Sequence, residues 1–241
     1  MTVSHYTLFD IPSGKAPSVT WTPNPWKTRL LLNFKGLDHQ TQWSMKVEYP
    51  DIKPTLESHV APNEKGMPYS IPTIASPDGT YVMDSRKIAN YIESKHPLPS
   101  LHLDSVYLEK VERLWSQYMG AIMPIFLPRV PKQVLNQESV PYWNKTREEW
   151  IGMSLDQLSQ EKGGQKAWNQ AEPILREVTA LLKENEGPFF LGDTPSYADL
   201  TWGSIILFHQ ALGQDVFDEA LKRGGDAQVH LDLLKAIQPW V

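Results

Sequence analysis

The chain is predicted to fold as an α/β domain followed by an all-α domain. Strand-like and helix-like signals alternate through the first part of the sequence, whereas beyond His96-Pro97-Leu98-Pro99-Ser100 the apolar residues recur at helical spacing. The size fits: 241 residues, 41% of them hydrophobic, are enough for two ordinary cores.

Tyr6-Thr7-Leu8-Phe9 reads as the first strand, followed by a Pro/Ser/Thr-rich loop from Ile11 to Pro23. Asn24 as N-cap and Pro25 at the first helical position predict a helix start. Trp26, Leu30 and Phe34, at i, i+4 and i+8, predict one buried stripe, and Gly36 suits a left-handed C-terminal position. Thr41 to Tyr49 gives a second strand, Asp51 to Val60 a weak helix, and Ile71-Pro72-Thr73-Ile74 a short third strand. Thr80 to Met83 pairs with it through the turn Ser76-Pro77-Asp78-Gly79. Asp84 or Ser85 then caps a helix carrying Ile88, Tyr91 and Ile92, which Pro97 and Pro99 end after His96. The expected domains are therefore residues 1–97 and 98–241. The order β-α-β-α-β-β-α is that of a thioredoxin-like sheet, which other small α/β folds share.

In the second part a helix is expected from Val106 to Met123, stopped at Pro124, then an irregular stretch to Pro141. Amphipathic pieces at Tyr142 to Ile151 and Ser154 to Leu158 precede a Gly163-Gly164 turn and a helix from Gln165 to Glu186, with Ile174, Val178, Leu181 and Leu182 on its apolar side. Ser196-Tyr197-Ala198-Asp199 is a capping box ahead of Leu200, Trp202, Ile205 and Ile206, which predicts a buried helix.

Composition narrows the chemistry. A net charge of −5 argues against a phosphate-tracking nucleic-acid surface, and no apolar run is long enough to span a bilayer, so a cytoplasmic protein is expected. With 0 cysteines there is no disulfide, thiolate metal site or cysteine nucleophile, and any sulfur chemistry must use a ligand's thiol. The 7 histidines form neither a metal pattern nor a triad; His209, on an apolar helix, reads as a core or pocket-wall residue.

Three places could carry function. A cis bond at Ile71-Pro72 would free the Ile71 backbone N–H and C=O to pair with a peptide ligand. Asp84-Ser85, at a helix start, could receive the carboxylate and ammonium of an α-amino acid end, or serve only as a cap. Around Trp21-Thr22-Pro23-Asn24-Pro25-Trp26-Lys27, a ligand thiol would meet a helix N-terminus, the Thr22 hydroxyl or Asn24 amide, and Lys27, each favouring the thiolate. The aromatic-rich helical part, including Tyr118, Met119 and Trp150, reads as core packing or as the lining of a pocket.

Taken together, these features resemble the glutathione transferase superfamily over essentially the whole chain. Trp26-Lys27-Thr28-Arg29 leading into Lys35-Gly36-Leu37, Val47-Glu48-Tyr49-Pro50-Asp51-Ile52, and Arg147 to Leu155 are similar to its etherase-like branch, particularly the fungal-specific class A enzymes. The resemblance implies glutathione as co-substrate, with its γ-glutamyl end at Asp84-Ser85, its cysteinyl backbone on Ile71 beside Pro72 and its sulfur at the first helix start. Thr22 lies nearest the family's sulfur-contacting Ser, with Asn24 and Ser18 as rivals, while Lys27 and Lys53 are further candidates for holding glutathione. Also implied are a homodimer and an interdomain pocket for hydrophobic or phenolic molecules, to which Trp26, Tyr118, Met119 and Trp150 are assigned. The expected function is thiol activation for attack on electrophiles or peroxides in detoxification, with aryl-ether cleavage a further possibility. The alternative is a non-catalytic carrier of phenolic or polyphenolic compounds.

Overall fold

The computed structural model describes residues 5–44, 49–64 and 66–241. Strands β1 (Tyr6–Asp10), β2 (His39–Trp43), β3 (Thr73–Ala75) and β4 (Tyr81–Met83) form one sheet in the order β2-β1-β3-β4. β1 and β2 are parallel, joined through helix α1 (Pro23–Phe34), while β3 runs antiparallel to both β1 and β4. Helices α2 (Tyr49–Leu56) and α3 (Ser85–Lys95) complete this thioredoxin-like domain. The second domain is helical: α4 (Val106–Gln133), α5 (Val140–Ile151), α6 (Leu155–Lys162), α7 (Gln165–Leu182), α8 (Tyr197–Leu212), α9 (Gln214–Gly224) and α10 (Ala227–Ile237), closed by a turn of 3-10 helix at Gln238–Trp240.

All five residues of β1 are buried, and its alternation divides the interior in two. Leu8 belongs to the large core that continues through α1 and α3 into the helical domain. Phe9, on the opposite face, packs with Ile52, Leu56 and Met83 beneath α2. Helix α1 is wedged between the sheet and α8, so the two domains share one apolar interior.

Several boundaries differ from expectation for identifiable reasons. α1 begins at Pro23, with Thr22 as its N-cap residue; Asn24 is the second helical residue. A proline forces its predecessor out of the helical region, and Thr22 obliges with ψ 144°, whereas Asn24 is helical despite preceding Pro25. Leu30 is buried, but Trp26 and Phe34 are only half-buried. Gly36 has the expected positive φ, 63°. The second strand starts at His39, because its register pairs His39 with Tyr6, and it ends at Trp43; residues 45–48 of the expected segment lie outside the described residues. α2 runs Tyr49–Leu56 instead of Asp51 to Val60, and α7 stops at Leu182, four residues before Glu186.

The largest correction is α4, which does not stop at Pro124 but continues for 28 residues through Pro124, Pro128 and Pro131. These prolines recur at i, i+4 and i+7, all on one buried face, so the missing N–H groups also fall on one side. The carbonyl of Leu127, which Pro131 cannot serve, accepts from Trp143 Nε1 at 3.0 Å. Packing against α6, α7 and α8 holds the remainder of the helix together.

The capping box of α8 forms as expected. Asp199 is fully buried, one carboxylate oxygen accepting from the Ser196 N–H (2.7 Å) and hydroxyl (2.6 Å), the other from Phe190 N–H (2.8 Å). Burial pushes its carboxyl up to about 6 against the pull of these donors. Tyr197, between them, donates its hydroxyl to the Ser85 carbonyl at 3.0 Å, tying α8 to the start of α3. Asp199→Ala strands three buried donors and is expected to cost at least about 3 kcal/mol, at about 1–3 kcal/mol for each unsatisfied group. Urea unfolding should show this as a lower midpoint with an unchanged slope, and an unaltered midpoint would refute the assigned role.

Candidate functional site

The loop after β1 is organised from behind by a polar cluster. Asp10, with no exposed surface, accepts from the Thr20 hydroxyl at 2.5 Å; Thr20 in turn accepts from Arg29 Nε at 2.7 Å, and Arg29 also reaches Thr41 at 2.6 Å. Burial raises the Asp10 carboxyl above its ordinary range despite the neighbouring guanidinium. The loop's outer turn closes on Ser13, whose hydroxyl accepts from the N–H groups of Lys15 and Val19. Ser18, a candidate sulfur partner, is occupied here, donating to the Ser13 carbonyl at 3.2 Å. The sequence reading missed the Asp10-Thr20-Arg29 cluster; its one signal was an aspartate closing an otherwise apolar strand.

At the start of α1 the candidates separate. Thr22 is half-exposed and its hydroxyl makes no capping bond, whereas Asn24 accepts from Lys27 Nζ at 3.1 Å. Lys27 therefore folds back toward the first turn of its own helix. It is buried, with Nζ 3.5 Å above the Trp115 ring of α4. Desolvation pulls its ammonium down to about 7, opposed by the carboxylates of Glu112 on α4 and Asp84 at the start of α3. One cationic side chain thus lies between the start of α1 and Trp115 of α4, within electrostatic reach of Asp84 at the start of α3.

The Ile71-Pro72 bond is cis, and among the described residues the Ile71 N–H and carbonyl have no hydrogen-bond partner. Pro72 opens onto β3, and its carbonyl accepts from Asp84 N–H at 3.2 Å, which places these two candidate positions side by side. Asp84 caps α3, accepting from Arg86 and Lys87 N–H groups through a single carboxylate oxygen. Its φ of 85° is in a region that non-glycine residues rarely occupy, a strain of about 1–3 kcal/mol of the kind concentrated at ligand sites. Ser85 is buried at the helix N-terminus. Lys53 is exposed on α2 and pairs with Glu57 at 3.7 Å.

The residues assigned to a hydrophobic pocket are not brought together. Tyr118 is fully buried, its hydroxyl 2.9 Å from His209 Nε2, and it belongs to the core. His209 is held neutral by burial, its pKa lowered to about 3, in keeping with a core role. Trp150 is 71% exposed on α5. Met119, one helical turn beyond Trp115 on α4, and Trp26 on α1 are each half-buried. The aromatic residue next to Thr22 is Trp21, itself buried in the core with its ring 6.1 Å from Trp143 and 6.4 Å from Phe208.

Residues 21–95 match the glutathione S-transferase N-terminal domain model, and residues 110–223 match the C-terminal domain model. The chain belongs to the glutathione S-transferase family. Among solved structures, this transferase is similar to the glutathione S-transferase CsGST63524 of Ceriporiopsis subvermispora, solved in complex with glutathione. The identity is 29%, the TM-score 0.84, and the match covers 98% of this chain and 97% of that one. Glutathione transferase GSTFuA3 from Phanerochaete chrysosporium is similar at 27% identity and TM-score 0.84, with the same coverage. The glutathione S-transferase-like protein ustS of Aspergillus flavus is 26% identical over 238 residues, 90% of this chain and 84% of its own length. These three relatives are fungal. No helix among the described residues is long and apolar enough to cross a membrane, and no group of three or more His, Cys, Asp or Glu among them could hold a metal ion.

The buried lysine of this transferase yields a pH test. A lysine lowered to about 7 in the fold but near 10.4 when unfolded imposes its whole cost below pH 7. That cost fades as pH rises between the two values, by about 1.4 kcal/mol per unit. Lys27→Met is thus expected to stabilise the protein most at pH 6, and the gain should shrink by pH 9. A difference in unfolding free energy that stays constant over that interval would contradict the burial of the charge.

Proposed function

We propose that the protein is a glutathione transferase that binds glutathione along the edge of its first domain, stabilises the thiolate and brings it to a hydrophobic electrophile held between the domains. The observation that carries this reading is the placement of Lys27, whose buried ammonium bonds Asn24 at the start of α1, lies over Trp115 of α4 and feels the carboxylate of Asp84 at the start of α3. A tripeptide with a carboxylate and an ammonium at one end and a thiol further along needs groups of these kinds along one line. The unpaired backbone of Ile71, the N-terminal turn of α3 and the uncommitted Thr22 hydroxyl fit it.

In this reading Ser85 and the first N–H groups of α3 receive the γ-glutamyl carboxylate, and the free oxygen of Asp84 meets its ammonium. Ile71 pairs with the cysteinyl backbone as an added strand would. Thr22 donates its hydroxyl to sulfur; Ser18 is already committed elsewhere, and Asn24 acts by holding Lys27. Lys27 supplies the positive field. A free thiol titrates near 8.5, and about two units of lowering, roughly 2.7 kcal/mol, would make the thiolate dominant at neutral pH. Holding nucleophile and electrophile together then removes much of the entropic barrier. Attack on peroxides and a homodimeric state belong to the same reading.

Lys27→Met is expected to return the thiol of bound glutathione toward its free pKa, read by ultraviolet thiolate absorbance. Thr22→Ala should lower the conjugation rate about ten-fold or more with little effect on glutathione affinity. Ser85→Ala should do the reverse, weakening the dissociation constant in calorimetry while leaving the thiol pKa alone. If glutathione binds but its thiol titrates as in free solution, the protein is a carrier of aromatic compounds and the transferase reading fails.

A further inference from the structure

Arg147, on α5, is the one arginine among the described residues without a carboxylate partner; the six others each form an ion pair. Its guanidinium lies over the Trp143 ring, 4.1 Å from the centroid, and donates one bond, to Thr146 Oγ1 at 2.7 Å. Its sequence neighbour Glu148 does not neutralise it, since that carboxylate accepts from Leu155 N–H at 3.1 Å, and Glu149 is exposed. The Tyr142 phenol is the titratable group that acts on it, and burial lowers the guanidinium's pKa. A partly desolvated cation with no counter-charge is expensive unless something else supplies the anion. The location says what that could serve. Trp143, under the guanidinium, is buried, anchored by its N–H on the Leu127 carbonyl, and its edge meets Trp21, the residue immediately before Thr22. Two indole rings therefore connect the unpaired guanidinium to the point where the thiolate would lie.

We propose that Arg147 is a specificity-determining residue for the second substrate, and that this substrate is an aromatic carboxylic acid whose carboxylate takes the open fork of the guanidinium while its ring reaches toward the start of α1. A planar guanidinium stacked on an indole offers two parallel donors in a fixed orientation, the geometry that a carboxylate matches and a neutral polyphenol does not. This inference rests on the transferase reading for its chemistry but not for its binding step.

The test uses 4-chloro-3,5-dinitrobenzoate and its methyl ester, which present the same ring with and without the charge. Glutathione thiolate attacks the chlorine-bearing carbon, a C–S bond forms, the C–Cl bond breaks and chloride leaves, so both probes report the same displacement. Because the ester group activates the ring more than the carboxylate does, each kcat/KM is divided by the uncatalysed rate constant with glutathione. On that scale the full-length protein is expected to prefer the acid over the ester by about ten-fold, the worth of about 1.4 kcal/mol of charge-assisted bonding. Arg147→Gln should abolish that ratio and Arg147→Lys should restore part of it, an order that a merely structural role would not give. Binding of the unreactive 3,5-dinitrobenzoate, followed without glutathione by quenching of tryptophan fluorescence, should show the same ranking. Loss of turnover with the binding preference intact would overturn the transferase reading and leave Arg147 in place. Equal preference for acid and ester in the parent protein after that correction for uncatalysed rates, or a ratio unchanged in Arg147→Gln, would overturn the inference itself.

Discussion

The candidate site depends on burying one positive charge between the start of α1 and Trp115 of α4. An ammonium placed among apolar groups is unfavourable, and the fold offsets this with several weak partners rather than one strong one: the Asn24 amide oxygen, the Trp115 ring, and the more distant carboxylates of Glu112 and Asp84. A direct ion pair would cancel the field that a thiolate needs. Leaving Lys27 without such a pair keeps the charge available, at the expense of a lowered pKa.

That placement requires the two domains to hold a fixed relation, and most of the specific bonds across the interface serve this purpose. Buried Lys35, just beyond α1, binds Glu93 and the carbonyls of His96 and Pro99, pinning the end of α1 to the segment that leads into α4. Trp240 packs edge-on against Phe34, their centroids 4.9 Å apart, and its carbonyl accepts from Asn33. On the other side Tyr197 bonds to Ser85, and Arg86 pairs with Glu112 at 2.8 Å. Helix α1 is thus clamped at its C-terminal end and meets Trp115 near its start, while α3 is clamped at its start. The groups proposed to hold the two ends of glutathione are carried by elements whose separation is set by packing, not by loop flexibility.

Local signals were reliable where the determinant is itself local. The Ser76 to Gly79 turn, the Asp84 cap, the Gly36 stop and the Ser196 to Asp199 box depend on contacts within a few residues, and all were legible. Errors arose where a local rule was overridden from outside. Three prolines inside α4 should break a helix, but they share a buried face and Trp143, from α5, satisfies one of the orphaned carbonyls. Tyr118 and Trp150 illustrate the same limit at the site. Both are aromatic residues on helices, yet one is sealed in the core and the other is in solvent, a difference decided by which side of the helix other elements cover.

The sequence by itself determined the class of fold, its family, the absence of any intrinsic thiol and the residues at which a thiol-bearing tripeptide would be expected, because spacing, caps and residue chemistry are properties of short segments. Only the tertiary structure decided that Lys27 is buried against Trp115, that Ser18 is already committed, and that Arg147 alone among the described arginines lacks a carboxylate. Those facts are relations between residues far apart in the chain. Desolvation and pairing depend on what packs across from a side chain, and no periodicity within a helix encodes its neighbour.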